Sequence, residues 1–219
     1  MSDPRKTFSQ QLEELQQAML EMGALAEELI KDSVKSLIEK DVELAKKTIA
    51  SDDEIDRKEL EVEARCMKLL ALQQPMARDL RTIGGVLKII TDIERLADHT
   101  TKISKKAIIL SELPQLKPYV DLPKMANLVI EMFKLSLDAF VKHDAKMAGN
   151  IIDMDDEIDE YNHSIFTELV GFMTKDPGCI NYVTHLMIVV QSLERIADHV
   201  TNICERIIFV VTGDLPKSK

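Results

Sequence analysis

This 219-residue chain writes two passages twice, and any fold it adopts has to house each of them in duplicate. Residues 92–103 read DIERLADHTTKI and residues 192–203 read SLERIADHVTNI, an offset of 100. Upstream, KDVELAKKTIASDDEID at 40–56 aligns with HDAKMAGNIIDMDDEID at 143–159, an offset of 103, so the second copy has lost three residues between the two passages. A unit of roughly 100 residues present only twice is unlike helical solenoids, whose repeats run to about 20–50 residues. Two equivalent bundles of helices fit it better.

Helix is the expected element throughout. Aromatics are 4% of the chain, Trp is absent, and Gly and Pro number seven each, a composition poor in what strands and β-turns use. Asp3-Pro4 opens a segment in which Phe8, Leu12, Leu15, Met19, Met22, Ala26 and Leu29 step by four and three, an apolar stripe running to about Lys40. Asp41 reads as an N-cap, followed by a short helix and a longer one ending before Pro75. A third runs from Met76 to about Leu113, with Gly84-Gly85 permitting close packing or a slight kink. LPQLKPYVDLPK at 113–124 carries three prolines and reads as the linker. The pattern then restarts with helices over Leu122–Lys142, Asp144 to about Thr174, and Ile180–Thr212. The expectation is an all-α protein of two tandem three-helix bundles, 1–113 and 124–219, joined by 114–123.

The repeated acids are harder to explain by packing. On a helix, Ile93, Leu96, Ala97, Thr100 and Ile103 form one buried arc, and Glu94 and Asp98 stand one above the other on its border. Glu194 and Asp198 repeat this beside Leu193, Ile196, Ala197, Val200 and Ile203. Asp52 and Asp56 border the arc of Ile55, Val62, Cys66 and Leu69, and Asp155 and Asp159 copy them beside Ile158 and Ile165. If the second and third helices of each unit are antiparallel neighbours, four carboxylates meet across one groove. Like charges so placed repel, more strongly when partly desolvated, and a cation would relieve them. Carboxylate oxygens suit magnesium, manganese, calcium, iron or zinc. The alternatives are solvated helix faces, or pairing of the glutamates with arginines from another helix. His99 and His199 fall on the side away from the acids and read as surface groups or as supports behind the ligands.

A formal charge of −10 argues against nucleic acid and suits cations or basic proteins. Cys66, Cys179 and Cys204 are widely spaced among apolar residues and read as reduced, buried thiols. The opening MSDPRKTFSQ has no apolar signal core, and no apolar run approaches ~18 residues, so the expected location is the cytoplasm. H-E-x-x-H, G-x-x-x-x-G-K-[ST] and G-x-S-x-G are absent, and Glu160-Tyr161-Asn162-His163 is a lone E-x-x-H where a di-iron bundle needs two. Arg78 and Arg81, in QQPMARDLR, are either helix-end solvation or a partner contact; Gly178 and Asn181 replace them in the second half.

DDEID, LLALQQPMARDLR, ERLADHTTKI and the echo ERIADHVTNI, in this order and spanning nearly the whole chain, resemble the PhoU family of phosphate-transport regulators. The resemblance implies two three-helix bundles related by a pseudo-twofold. It implies metal centres on Asp52/Asp56, Glu94/Asp98, Asp155/Asp159 and Glu194/Asp198, holding iron, zinc, magnesium or manganese. It implies a non-enzymatic negative regulator of the phosphate-starvation response and of phosphate uptake. Such a protein links the ATPase subunit of the phosphate-specific ABC transporter to a sensor histidine kinase, forms homodimers, and reaches the membrane only through protein partners. An accessory protein of a low-affinity phosphate carrier, and a metal-dependent hydrolase or metal store, are the competing functions.

Overall fold

The computed structural model describes residues 4–214, with side chains from Phe8 onward. Eight α-helices fill it, and no strand occurs among the described residues. They are α1 (Pro4–Glu39), α2 (Val42–Ala50), α3 (Asp52–Gln73), α4 (Ala77–Ser111), α5 (Asp121–Lys142), α6 (Ala145–Asp153), α7 (Asp155–Lys175) and α8 (Ile180–Thr212), with a 3-10 turn at Pro177–Cys179 before α8. Asp3, read as the opening residue of α1, lies outside the described residues.

The same local devices shape both halves. At the ends of α1 and α5 the chain turns through a left-handed residue, Lys40 (φ 56) and His143 (φ 49). The next residue is an aspartate whose carboxylate accepts a backbone N–H of the new helix: Asp41 from Leu44 and Asp144 from Met147, each at 2.9 Å. The Asp144–Thr174 stretch, expected as one helix, is divided at Met154 as the first half is divided at Ser51. At the break the Met154 N–H bonds back three residues to the Ile151 carbonyl, and the following turn opens with Asp155, Asp156 and Glu157, which the positive end of a helix favours. Prolines keep 114–120 free of helix, and this connection is tied down by Lys117 to Glu168 and by a 2.6 Å hydroxyl pair between Tyr119 and Tyr182.

The buried residues follow the sequence stripes. Leu15, Met19, Met22, Ala26 and Leu29 of α1 are buried, as are Ile55, Val62, Cys66 and Leu69 of α3. The apolar arcs of α4 and α8 that border the repeated acids are buried in full. All three cysteines are free and buried.

The most extensive helix pairing joins the two halves through α4 and α8. Inside each half α4 or α8 touches the other three helices, and α1 crosses to meet α5, so the apolar core is one continuous cluster. Every pairing within the first half has its counterpart in the second, which is the pattern of an approximate twofold. Glycine lets the halves approach. A Cβ on Gly85 would lie 2.3 Å from Val210 Cγ2, and one on Gly23 would lie 2.9 Å from Leu137 Cδ1. A Cβ on exposed Gly84 meets nothing within 4 Å. Of the two roles expected for the Gly84-Gly85 pair, Gly85 fills that of close packing.

A matched pair of variants separates helix propensity from packing. Gly84→Ala should raise stability by about 1 kcal/mol through propensity alone. Gly85→Ala should lower it by about 1–3 kcal/mol, because the stiff Val210 side chain cannot yield cheaply. Urea unfolding of both variants decides the matter, and a Gly85→Ala protein as stable as Gly84→Ala would refute the packing role.

Candidate metal centre

α3 and α4 run antiparallel, as do α7 and α8, and each pair brings its acids face to face. Burial, followed by the charge of Asp98 across the groove, pushes the Asp52 carboxyl up, and Asp56 adds to this while Thr101 and Lys105 oppose it. Glu94 is likewise raised, first by burial, against the lowering effect of Arg95, with Asp98, Glu59 and Asp56 adding repulsion. In the second half the effect is larger. Asp155 is pushed up to about 6 by burial and by Asp159, Asp198, Asp156 and Glu194. Glu194 is raised by burial, Asp198 and Asp159. The eight acids therefore stand as two groups of four, each close enough to feel its own members.

They are not drawn to a point. Among the described residues no three His, Cys, Asp or Glu side chains are placed to hold a single ion. Arginines from the same helices lean over them. Arg95 Nε lies 3.4 Å from Glu94 Oε2 and its Nη1 3.8 Å from Asp98 Oδ2. Arg195 Nε lies 3.9 Å from Glu194 Oε2 and its Nη1 2.8 Å from Asp198 Oδ2. The expectation that any arginine partner would come from another helix is thus corrected: the long guanidinium arm reaches back one residue and forward three. Both arginines are more than half exposed, and such surface pairs contribute about 0–1 kcal/mol, little enough for a multivalent cation to displace. The donors fit a hard cation in chemistry, but as they stand they are not gathered around one point, and Arg95 and Arg195 would have to swing out for them to converge.

Glu59 is a further acid, outside the repeated set. It sits one turn beyond Asp56, is raised by burial and by Glu63 and Asp56, and adds its charge to that on Glu94. Its equivalent in the second half is Asn162, so likeness between the halves passes over it.

The histidines also depart from expectation. They are only partly exposed, and they meet each other between α4 and α8, with ring centroids 6.0 Å apart. His199 Nδ1 lies 3.0 Å from Asp92 Oδ1, which also accepts from Asn202 at 3.4 Å. His99 has no such partner, because Ser192 stands where the first half has Asp92; its Nδ1 is buried and unpaired, and burial lowers its pKa to about 4. The difference has a plain cause: α4 and α8 each bury two faces, and the side turned from the acids is the side turned to the other half.

Arg81 is likewise spent internally. Its Nε donates to the Val210 carbonyl at 3.4 Å, and its guanidinium lies beside Gly213, the left-handed residue that ends α8. Arg78 is exposed on the first turn of α4, and its charge adds to burial, the larger cause, in lowering the pKa of His143.

The raised acid predicts a pH dependence. A carboxyl whose pKa is higher in the folded than in the unfolded chain stabilises fully below the unfolded value, near 4, and loses that contribution as pH rises through about 6. Asp155→Asn should therefore stabilise the metal-free protein at pH 7 and not at pH 4. Half-burial reduces the expected gain to about 1 kcal/mol, or ~2–4 °C in Tm for a chain of this size. Melting both proteins in chelator at the two pH values checks this, and an equal difference at both would contradict it.

The same arrangement of helices has relatives. A family model described as the PhoU domain matches residues 19–107 and again 122–207. The phosphate-specific transport system accessory protein PhoU homolog of Aquifex aeolicus is 39% identical over 207 residues, covering 94% of each chain. Its namesake in Clostridium acetobutylicum is 39% identical over 210 residues, 95% of this chain and 96% of that one. The crystal structure of PhoU from Pseudomonas aeruginosa superposes with a TM-score of 0.91 at 35% identity, covering 94% of this chain and all (100%) of that one. The phosphate transport system regulatory protein PhoU of Streptococcus pneumoniae gives 0.89 at 32% identity, covering 96% and 100%. On a match that takes in both repeats and nearly the full length, the chain belongs to the PhoU family.

Proposed function

We propose that this protein serves a phosphate-specific transport system as a regulatory accessory protein, acting by binding and not by catalysis. The match of both repeats to one family whose curated members bear that name carries the reading. In finer terms, it is a negative regulator of phosphate uptake and of the phosphate-starvation response. Its partners are the transporter ATPase subunit and a phosphate-sensing histidine kinase, and it works as a homodimer at the cytoplasmic side. No helix among the described residues is long and apolar enough to cross a membrane, which accords with attachment through protein partners.

Multivalent cations are part of the proposal. Asp52, Asp56, Glu94 and Asp98 would hold one centre, with Glu59 beside it; Asp155, Asp159, Glu194 and Asp198 would hold the other. Iron, zinc, manganese and magnesium all accept this oxygen set. What a bound ion supplies is positive charge that cancels the mutual repulsion of the acids. Support comes from the raised pKa values of Asp52, Glu94, Asp155 and Glu194, to which that repulsion contributes in the ion-free protein.

Two experiments test the two parts separately. Replacing Asp98 and Asp198 together by Ala should lower metal affinity roughly tenfold or more while leaving the helical circular dichroism unchanged. Elemental analysis showing wild-type metal content in that variant would sink the site assignment. Deleting the gene should raise alkaline phosphatase at high phosphate, and unchanged expression would sink the regulatory role.

A further inference from the structure

The outer groove between α7 and α8 changes character along its length. At one end stand Asp155 and Asp159 on α7 and Glu194 and Asp198 on α8, with Arg195 leaning over the last two. Toward the other end the same flank carries Phe166 and Val170 on α7 and Ile180 on α8, exposed by 52%, 36% and 48%. Between them lies a cavity of ≈ 330 Å³ whose lining includes Asn162, Phe166, Met187, Gln191 and Glu194, with Arg195 at its acidic end as the only cation among the residues that line it.

The duplication shows that this exposure is no accident of one helix. Val170 and Ile180 correspond, by the offsets of 103 and 100, to Met67 and Leu80, which are exposed by 56% and 48% at the same end of α3 and α4. Both halves thus carry an apolar step beyond their acids. The first half interrupts it with Glu59 and Glu63, where the second has Asn162 and Phe166. Only in the second half does the path from the step to the acids carry no further charge on these positions.

We infer that the α7–α8 groove is a docking site for a basic amphipathic helix of a partner protein, its apolar side on Phe166, Val170, Ile180 and Met187 and its lysines or arginines toward the acids. Charge selects this occupant. A second copy of a chain carrying −10 would bring acid to acid, and an acidic segment would be repelled. Length agrees as well. From Asp155 to Val170 the groove spans roughly 22 Å, about four helical turns. A helix laid between two antiparallel helices buries its apolar stripe as the fourth member of a bundle does. The inference rests on the proposed adaptor role only in supposing a protein partner, and it does not need bound metal.

The probe is a fluorescent 16-residue peptide with leucines at helical i, i+3, i+4 spacing and lysines elsewhere. A glutamate-for-lysine version and a scrambled lysine version of the same composition serve as controls. The full-length protein should bind the lysine helix with micromolar affinity and neither control. Phe166→Glu, which installs the residue type of position 63, should weaken binding by about tenfold or more. Glu63→Phe should create a second site. Equal binding by the scrambled peptide, or by Phe166→Glu with its fold intact by circular dichroism, overturns the proposal. So does a wild-type protein that takes no peptide but is a dimer in sedimentation and a monomer as Phe166→Glu, since the groove would then be a self-interface. Titrations are run in chelator and again with manganese. Binding in either supports docking whatever becomes of the metal assignment, and loss in both overturns docking while leaving that assignment standing. A protein that takes the peptide, yet whose deletion leaves alkaline phosphatase unchanged, keeps the groove and loses the regulatory role.

Discussion

The packing of α4 on α8, with Val210 seated over Gly85, positions every other helix in the molecule. Each of these two long helices touches the other three of its own half, so their mutual spacing is passed outward to all eight. Because protein interiors are close-packed, a shift at that seam has no free volume in which to dissipate. The acidic grooves inherit their geometry from it: one wall of each groove is the outer flank of α4 or α8, and the inner flank is held against the opposite half.

Electrostatics then works against packing at those outer flanks. Glu94, Asp98, Glu194 and Asp198 stand on the borders of fully buried arcs, and their neighbours on α3 and α7 carry the same sign. The chain offsets this repulsion in part with the exposed Arg95 and Arg195 and, at Asp52, with Thr101 and Lys105. A protein selected for stability alone would place lysine or glutamine at half of these positions. Acid at all eight positions leaves part of that repulsion uncancelled, and the raised carboxyls of Asp52, Glu94, Asp155 and Glu194 record it.

Much of this is legible in the amino-acid sequence, because burial on a helix is periodic. Ile55, Val62, Cys66 and Leu69, or Ile93, Leu96, Ala97, Thr100 and Ile103, declare themselves by spacing, and they are buried. The acids declare themselves by repetition. What stays hidden depends on which helix lies against which. The helical wheel that puts His99 and His199 opposite the acids is correct in angle but silent about the facing helix, so it takes a half-buried contact between the halves for open surface. Backbone direction alone sets Arg95 and Arg195 apart from their neighbouring acids, whereas their reach is decided by side-chain length. Glu59 and Asp92 escape because their counterparts are Asn162 and Ser192, and internal likeness cannot reveal what the halves do not share.

The contacts between the halves carry one more consequence. α4 with α8, and α1 with α5, join each helix to its own counterpart, which is what a symmetric dimer of a single repeat would bury. The proline-bearing segment at 114–120 converts that encounter between two molecules into one within a molecule, at an effective concentration of about millimolar order. Halves tethered in one chain need not be identical. Ser192 stands where its twin has Asp92, and Phe166 where its twin has Glu63, differences that two identical copies of one repeat could not carry.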